Sequence, residues 1–383
     1  MMTNQLHKIN TETPTAQPLL NLEAQAEVDY RVIQEVDALH EFEDAWDILA
    51  DKSGSPMQYH AWAQCAATTV AKDYEVRVIV VGPPRQPTAI APLVTRRGEY
   101  GRLELLGVDA LHEPMDFLYA DPSALHLLAQ ALLRMGCPLF LTRVPAESPV
   151  VEALRSAYRG RGLIICRTEN GYPWVPLDAS WTQPELKLNS GRRSDLRRAR
   201  RAADKFGSVK FEIVNPGPEE LVPLLEEAFR VEAAGWKGRE GSALMHDQFR
   251  RKFYSQYAAE VCRKGLLRLC FMRIGGRPVA MQFAVESGNR FWLLKIGHDE
   301  AFERCSPGML LILETLRYAA TRELSAYEFL GSVESWTEMW TRMERPCLSL
   351  RAYPYNGRGM TSLAADACQA VWRKVDRLVR CRQ

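Results

Sequence analysis

The stretch LLRLCFMRIGGRPVAMQFAVESGNRFWLLKIGHDEAFERCSPGMLLILETLRYAATRELSAYEFLG, residues 266–331, decides the fold. Three apolar runs, LLRLCFMRIGG, RPVAMQFAVESG and RFWLLKIGHDE, are joined by Gly275-Gly276 and Gly288-Asn289. Such pairs tolerate the positive φ that tight hairpins demand, so the spacing predicts an antiparallel three-stranded meander. Ser306-Pro307-Gly308 then opens the helical segment MLLILETLRYAATRE. The short run AYEFLG (326–331) reads as a closing strand.

Upstream of the meander lie a strand, VKFEIVN (209–215), and two helices, EELVPLLEEAFRVEAAGW and DQFRRKFYSQYAAEVCRKG. The first half of the chain shows related grammar. A strand YRVIQEV (30–36) and helices around LHEFEDAWDILADKS and QYHAWAQCAATTVA precede the strands YEVRVIVVG and TAIAPLVTRRG, which Pro83-Pro84 joins. Helix LHLLAQALLRM, strand PLFLTRV and helix VVEALRSAYRGRG follow. The expectation is an α/β (α+β) chain of two tandem units, each a mixed, mainly antiparallel sheet flanked by helices. The boundaries read as a polar, disordered arm at 1–26, a first unit at 27–180, a second at 181–357 and an amphipathic helix at 358–383. The pairing of units rests on element order, because no high-identity internal repeat exists.

Composition narrows the class. The chain has 383 residues, 46% apolar and 25% charged, which suits a folded protein of two ordinary domains. Nine cysteines and seven histidines occur without CxxC, HExxH or another metal-ligand spacing, so reduced thiols and no metal are expected. The polar N-terminus does not read as a signal peptide, and no apolar run is long enough to cross a bilayer. A cytoplasmic location is the expectation.

Four blocks carry a family likeness: SGRRSDLRRARRAADKFG, GWKGREGSAL (235–244), LKIGHDEAFERCSPGMLL (294–311) and EFLGSVESWTEMWT (328–341). In this order and spacing, across residues 187–345, the chain resembles the BioF2-like, cellulose-biosynthesis-type GNAT acetyltransferases, relatives of the FemABX peptidyltransferases. The likeness implies two tandem GNAT-like domains, acetyl-CoA or another acyl-CoA as co-substrate, and the active site in the second half. Three positions depart from the family: His298 stands for an aromatic tyrosine, Glu328 for an Asp, and Thr337 for a lysine.

An acyltransferase needs a thioester site, an oxyanion donor and a base for the attacking amine or hydroxyl. Arg304, Ser306, Gly308 and Met309 are the candidate donor-binding residues. A helix start presents free N–H groups to phosphate, and glycine lets the backbone approach it. The plain alternative is an ordinary N-cap by Ser306 with Pro307 at the first helical position. His298 and Asp299, at the end of the strand feeding that turn, are candidate bases, with Glu232 the alternative across the cleft; the other reading is that they decorate a loop. Trp236, Lys237, Lys295, Glu334 and Trp336 are candidate acceptor-binding residues, with the tryptophans also readable as core.

Six arginines and a lysine against two aspartates in GRRSDLRRARRAADK form either a solvated face or an anion-binding helix, with Arg193 and Arg197 one turn apart. An acyl carrier protein, coenzyme phosphates, a tRNA acceptor end or a cyclic dinucleotide would suit such a helix. The functional expectation is acyl transfer; the resemblance implies acetyl as the group and an amino sugar or lipid-linked precursor of exopolysaccharide or cell-envelope synthesis as the acceptor. The alternatives are a FemABX-like transferase using aminoacyl-tRNA, or a non-catalytic module that binds an anionic nucleotide. The basic face of the C-terminal helix (Arg373, Lys374, Arg377, Arg380) either faces water or touches the inner membrane surface.

Overall fold

The computed structural model describes residues 29–71, 73–83, 85–96, 101–235 and 244–380, and for residues 373–380 the backbone alone. The expected arm at 1–26 therefore lies outside the described residues. The first half contributes β1 (Tyr30–Ile33), α1 (Glu43–Ala50), α2 (His60–Thr69), β2 (Tyr74–Val76), β3 (Val78–Val81), β4 (Ala89–Ala91), β5 (Leu93–Arg96) and β6 (Leu103–Leu105). There follow α3 (Val108–Leu111), β7 (Leu118–Tyr119), α4 (Pro122–Met135), β8 (Leu139–Pro145), α5 (Val150–Tyr158) and β9 (Gly162–Pro176). The second half adds α6 (Ser190–Asp204), β10 (Val209–Val214), α7 (Pro218–Ala233), α8 (Gln248–Arg263), β11 (Leu267–Ile274), β12 (Arg277–Ser287) and β13 (Arg290–His298). It closes with α9 (Pro307–Thr321), β14 (Ala326–Glu328), β15 (Glu344–Pro354) and α10 (Gly357–Arg380).

The strands form a four-stranded sheet, β1-β3-β4-β7, and an eleven-stranded one, β10-β11-β12-β13-β14-β9-β15-β8-β6-β5-β2. The predicted meander is present, with Gly275 at φ 58° and Asn289 at φ 56° in its turns. Two continuous strands expected in the first half are instead bent into pairs. Pro92 has no N–H for a ladder, and it parts β4 from β5; the Arg77 N–H bonds Leu93 O at 2.8 Å beside the break. Each strand thus serves both sheets.

Four strands escaped the sequence reading, the short β6 and β7 and the longer β9 and β15, and the last two tie the halves together. β15 lies antiparallel between β8 and β9, although it is formed by the C-terminal part of the chain. The end of β9 crosses over to pair with β14, Trp174 opposite Glu328. A cut near residue 180 would therefore pass through one continuous sheet.

Both faces of the meander are covered, which explains its nearly uninterrupted apolar sequence. Leu269, Phe271, Met281 and Phe283 share a core with α7 and α8, whereas Cys270, Met272, Ala280 and Ala284 share one with α6 and α9. Trp62 on α2 reaches across to α8, edge-on to Phe253 and Tyr257 at 4.8 and 5.0 Å between ring centres. This contact seats the first half over the meander. α10 starts against β15, where the Tyr353 hydroxyl donates to Asp366 at 2.6 Å.

Candidate functional site

β13 and β14 run parallel but pair only from Arg290↔Ala326 to Trp292↔Glu328. Beyond that point they part. Leu293 to His298 on one side and Phe329 to Ser332 on the other line a cavity of about 520 Å³. A splayed parallel pair leaves a slot open to backbone groups, and the helix that connects the strands closes one end of it. In the ladder between β12 and β13 the register slips, Phe283 facing Lys295 and Ala284 facing Leu293. Leu294 is the extra residue of this bulge, and a bulge re-aims the backbone at a functional position.

Glycine sets the approach of α7 to this strand. A Cβ at Gly297 would stand 2.5 Å from the Cα of Glu232, so only glycine lets α7 lie so close to the end of β13. Gly235 does the same from the other side, where a Cβ would meet the His298 carbonyl at 2.8 Å. Glu232 is consequently 2% exposed and lines the cavity, with Oε2 accepting from the Leu244 N–H at 3.0 Å.

Ser306 lies at the N-cap of α9 with φ 43° and ψ 52°, and its hydroxyl caps nothing. Of the plain alternative, Pro307 does take the first helical position, but the ordinary side-chain N-cap by Ser306 is absent among the described residues. A non-glycine residue in the left-handed region stores about 1–3 kcal/mol of strain, and such outliers cluster where a backbone must take an unusual path. Here the path carries Ser306, Pro307, Gly308 and Met309 along the cavity wall. A Cβ on Gly308 would meet nothing nearer than the His298 imidazole, at 3.8 Å. The fold therefore leaves room for a Cβ at this position.

The structure gathers His298, Glu232, Ser306, Gly308, Met309, Lys295, Glu334 and Trp336 on one cavity. Trp336 Nε1 donates to Glu334 Oε2 at 2.8 Å, and its ring packs edge-on to Phe329. Lys295 Nζ sits 5.0 Å from the centre of the Tyr254 ring. Asp299 and Arg304 do not line the cavity. Asp299 accepts from the Ala301 N–H at 3.0 Å and pairs with Arg277, which commits the carboxylate to holding the turn. Arg304 is exposed. Trp236 and Lys237 lie outside the described residues. Arg193 and Arg197 stand on α6, away from the cavity, though α6 packs against the turn Glu300–Cys305 and α9. No group of three His, Cys, Asp or Glu side chains is placed to hold a metal among the described residues.

Three further lining residues had no motif to announce them: His112 and Glu113, from the loop after α3, and Arg250 of α8. His112 ends α3 at φ 60°, which turns Glu113 inward to 6% exposure. Burial pushes the Glu113 carboxyl up to about 7 against the opposing pull of Lys295 and Arg143. Burial also lowers His112, helped by Arg250. The first half thus supplies an acid-base group to a cavity built by the second. The run Leu111-His-Glu-Pro-Met115, a carboxylate among apolar neighbours, was the available signal.

With this geometry, the chain can be set beside known proteins. No curated protein matches its sequence. FemX shares its fold at 12% identity, TM-score 0.54, covering 86% of this chain and 98% of FemX. So does the C-terminal DUF2156 domain of a candidate lysylphosphatidylglycerol synthetase from Agrobacterium fabrum, at 11% identity, TM-score 0.54, covering 86% of this chain and 96% of that domain. A conserved protein of unknown function from Bacteroides thetaiotaomicron superposes at 10% identity, TM-score 0.51, covering 85% and 99% of the two chains. Residues 190–338, which include α7, the meander, the splayed strands and α9, match the family model described as Acetyltransferase (GNAT) domain.

Proposed function

We propose that the chain is an N-acyltransferase that moves an acyl group, in the simplest case acetyl, from a coenzyme A or acyl-carrier thioester to an amine. The observation that carries this reading is the cavity between β13 and β14, floored by the strained turn into α9. The thioester arm lies between the two strands, its phosphates near the N–H groups that open α9 and its carbonyl near the bulge at Leu294. Lys295, Glu334 and Trp336 border the acceptor's side. His298 beside Gly308, and Glu232 across from it, are proton-transfer candidates. The acceptor we favour is an amino sugar or a lipid-linked precursor in exopolysaccharide or cell-envelope synthesis, as the BioF2-like sequence blocks suggest.

Calorimetric titration of acetyl-CoA into the protein and into Gly308→Val tests the donor site. The valine finds space in the fold but fills the gap meant for the ligand. Affinity should fall at least about tenfold, since about 1.4 kcal/mol is tenfold in affinity. Unchanged affinity would place the donor elsewhere.

The unpaired arginines of α6 favour a second reading, an anionic partner such as aminoacyl-tRNA or an acyl carrier protein. Arg198 pairs with Asp195 and Arg200 with Asp204, whereas Arg193 and Arg197 form no ion pair among the described residues. With tRNA as the probe, Arg193→Ala/Arg197→Ala should flatten the plot of log affinity against log salt by about 2, one for each lost phosphate contact. An unchanged slope would leave the helix a solvated face. If instead a cyclic dinucleotide, but no thioester, raises the melting temperature, the chain is a non-catalytic sensor. No helix among the described residues is long and apolar enough to cross a membrane. Val371 and Trp372, exposed on α10, suit peripheral contact with the inner membrane from a cytoplasmic position.

A further inference from the structure

Glu113 has one carboxylate oxygen with no hydrogen-bond partner among the described residues, on a side chain that is 6% exposed and lines the cavity. Buried polar atoms are nearly always satisfied, so an orphan of this kind calls for a partner. Of the other carboxylates near the cavity, Glu303 is exposed to water on the turn before α9, and three are engaged. Glu232 holds the Leu244 N–H, Glu334 holds the Trp336 indole, and Asp299 holds the turn after β13. A second orphan lies close by. The hydroxyl of Tyr254, fully buried under the Lys295 ammonium, has no partner, and it feels the charges of both Glu113 and Glu232.

The groups facing Glu113 come from separate elements: Lys295 on β13, Arg143 on β8, and Tyr254 with Arg250 on α8. Glu232 on α7 borders the same Tyr254, and His112 precedes Glu113 in its own loop. Two cations near a carboxylate would ordinarily pair with it. Here neither Lys295 nor Arg143 bonds Oε2, and the Glu113 side chain as a whole lines the cavity. The remaining lining is largely apolar, with Leu111, Leu294, Met309 and Trp336 among it. An apolar pocket ending in one unpaired carboxylate fits a primary ammonium on an apolar or ring-shaped body.

We propose that Glu113, reaching in from the first half of the chain, receives the acceptor as a primary ammonium ion and is the base that deprotonates it. This rests on the acyl-transfer reading of the cavity. The Glu113 carboxylate takes one proton from R–NH3+, which leaves R–NH2 and a neutral carboxyl group. The amine nitrogen then attacks the thioester carbonyl carbon, forming the C–N bond. Collapse of the tetrahedral adduct breaks the C–S bond. The departing thiolate takes one of the two protons left on nitrogen, giving thiol and an amide that keeps the other, and Glu113 returns its proton to solvent. Burial, which brings the carboxyl near neutrality, suits it to this exchange at physiological pH. The sugar- or lipid-borne acceptor is then one that offers a free amine, and hydroxyl acceptors are disfavoured.

Two measurements test the assignment in the full chain. The first needs no turnover. In protein labelled with 13C at the glutamate carboxyls, the resonance absent from Glu113→Gln identifies Glu113, and its titration is followed with and without n-butylammonium ions. An ammonium seated beside the carboxylate should move the titration to lower pH. If the ion leaves it unmoved, the proposal fails. The second follows thiol release from acetyl-CoA with a panel of primary amines and matched alcohols. For amines, Glu113→Gln should lose about 10²–10⁴-fold in kcat/KM together with the acid limb of the pH profile, and Glu113→Asp should recover part of it. Loss of rate with the acid limb intact would make Glu113 structural only. Calorimetry with coenzyme A separates the two readings. Failure to bind it in the wild type defeats the acyl-transfer reading, whereas normal binding with a silent Glu113 defeats this proposal alone.

Discussion

Glu328→Ala should cost the protein about 3–5 kcal/mol in urea unfolding, more than substitution of any surface carboxylate. Glu328 is fully buried on β14 and accepts three hydrogen bonds from Arg345, at 2.7, 2.9 and 3.0 Å, with Arg290 at 3.6 Å. The Arg345 guanidinium in turn lies 3.8 Å over the Trp174 ring. One carboxylate therefore joins β14, β15, β9 and β13, the strands through which the two halves share their sheet. Truncating it leaves two guanidinium groups against an apolar wall without a counter-charge. Arg345 retains 23% of its side-chain exposure, so water relieves part of the loss and the lower end of the range is the expected one. The pair also predicts non-additivity: once Glu328 is gone, Arg345→Ala should add little. A loss under about 1 kcal/mol would equate the pair with an exposed surface bridge and defeat the argument.

That carboxylate also shows what the sequence can and cannot convey. Glu328 stands where the resembling family has an aspartate, and its partner Arg345 is seventeen residues further on in a strand with no periodic signature. β15 has the burial pattern of an element wedged between two others in a sheet, alternating irregularly because its register slips twice. Local patterning describes a strand's faces but not the neighbours it will find, so β15 was invisible. The meander was legible because its turns are short and glycine-bearing and its contacts are sequential. Thr337, in the family's lysine position, is fully buried, and its hydroxyl bonds the Glu334 carbonyl at 2.8 Å. A threonine fits that closed turn; a lysine ammonium would need a route to water.

The site divides in the same way. Gly308, Ser306, His298 and Glu232 come from the continuous block around β13 and α9 and the helix that glycine packs against it, and the sequence pointed to all four. Glu113 comes from a loop of the first half, 182 residues before Lys295 (295 less 113). Its placement depends on how α2 and α8 seat the halves together, through Trp62 and Phe253. No local pattern encodes that docking. Asp299 shows the opposite case. Next to His298 it has the right chemistry, but a carboxylate that starts a helical turn is drawn to the turn's own N–H groups, here that of Ala301.

Glu113→Gln should make the protein more stable than the wild type at about pH 8 and no more stable at about pH 4. The Glu113 carboxyl is raised from 4.5 to about 7 because burial disfavours its charge more than Lys295 and Arg143 restore it. The folded state therefore holds this proton more tightly than the unfolded chain. Its contribution to stability is fully present below 4.5 and falls away as pH climbs to about 7. A displacement of that size corresponds to about 3 kcal/mol, at about 1.4 kcal/mol for each pH unit. Glutamine keeps the shape and polarity but never ionises, so the difference between the two proteins should open with rising pH and level off above about 7. Urea unfolding of both at four or five pH values measures that curve directly. A difference that does not vary with pH would mean the carboxyl titrates as an ordinary exposed one. The expected curve has a functional sense as well. A chain that tolerates an unpaired buried carboxylate, where a neutral amide would hold the fold better, bears a stability loss, as expected of the proton exchange proposed for Glu113.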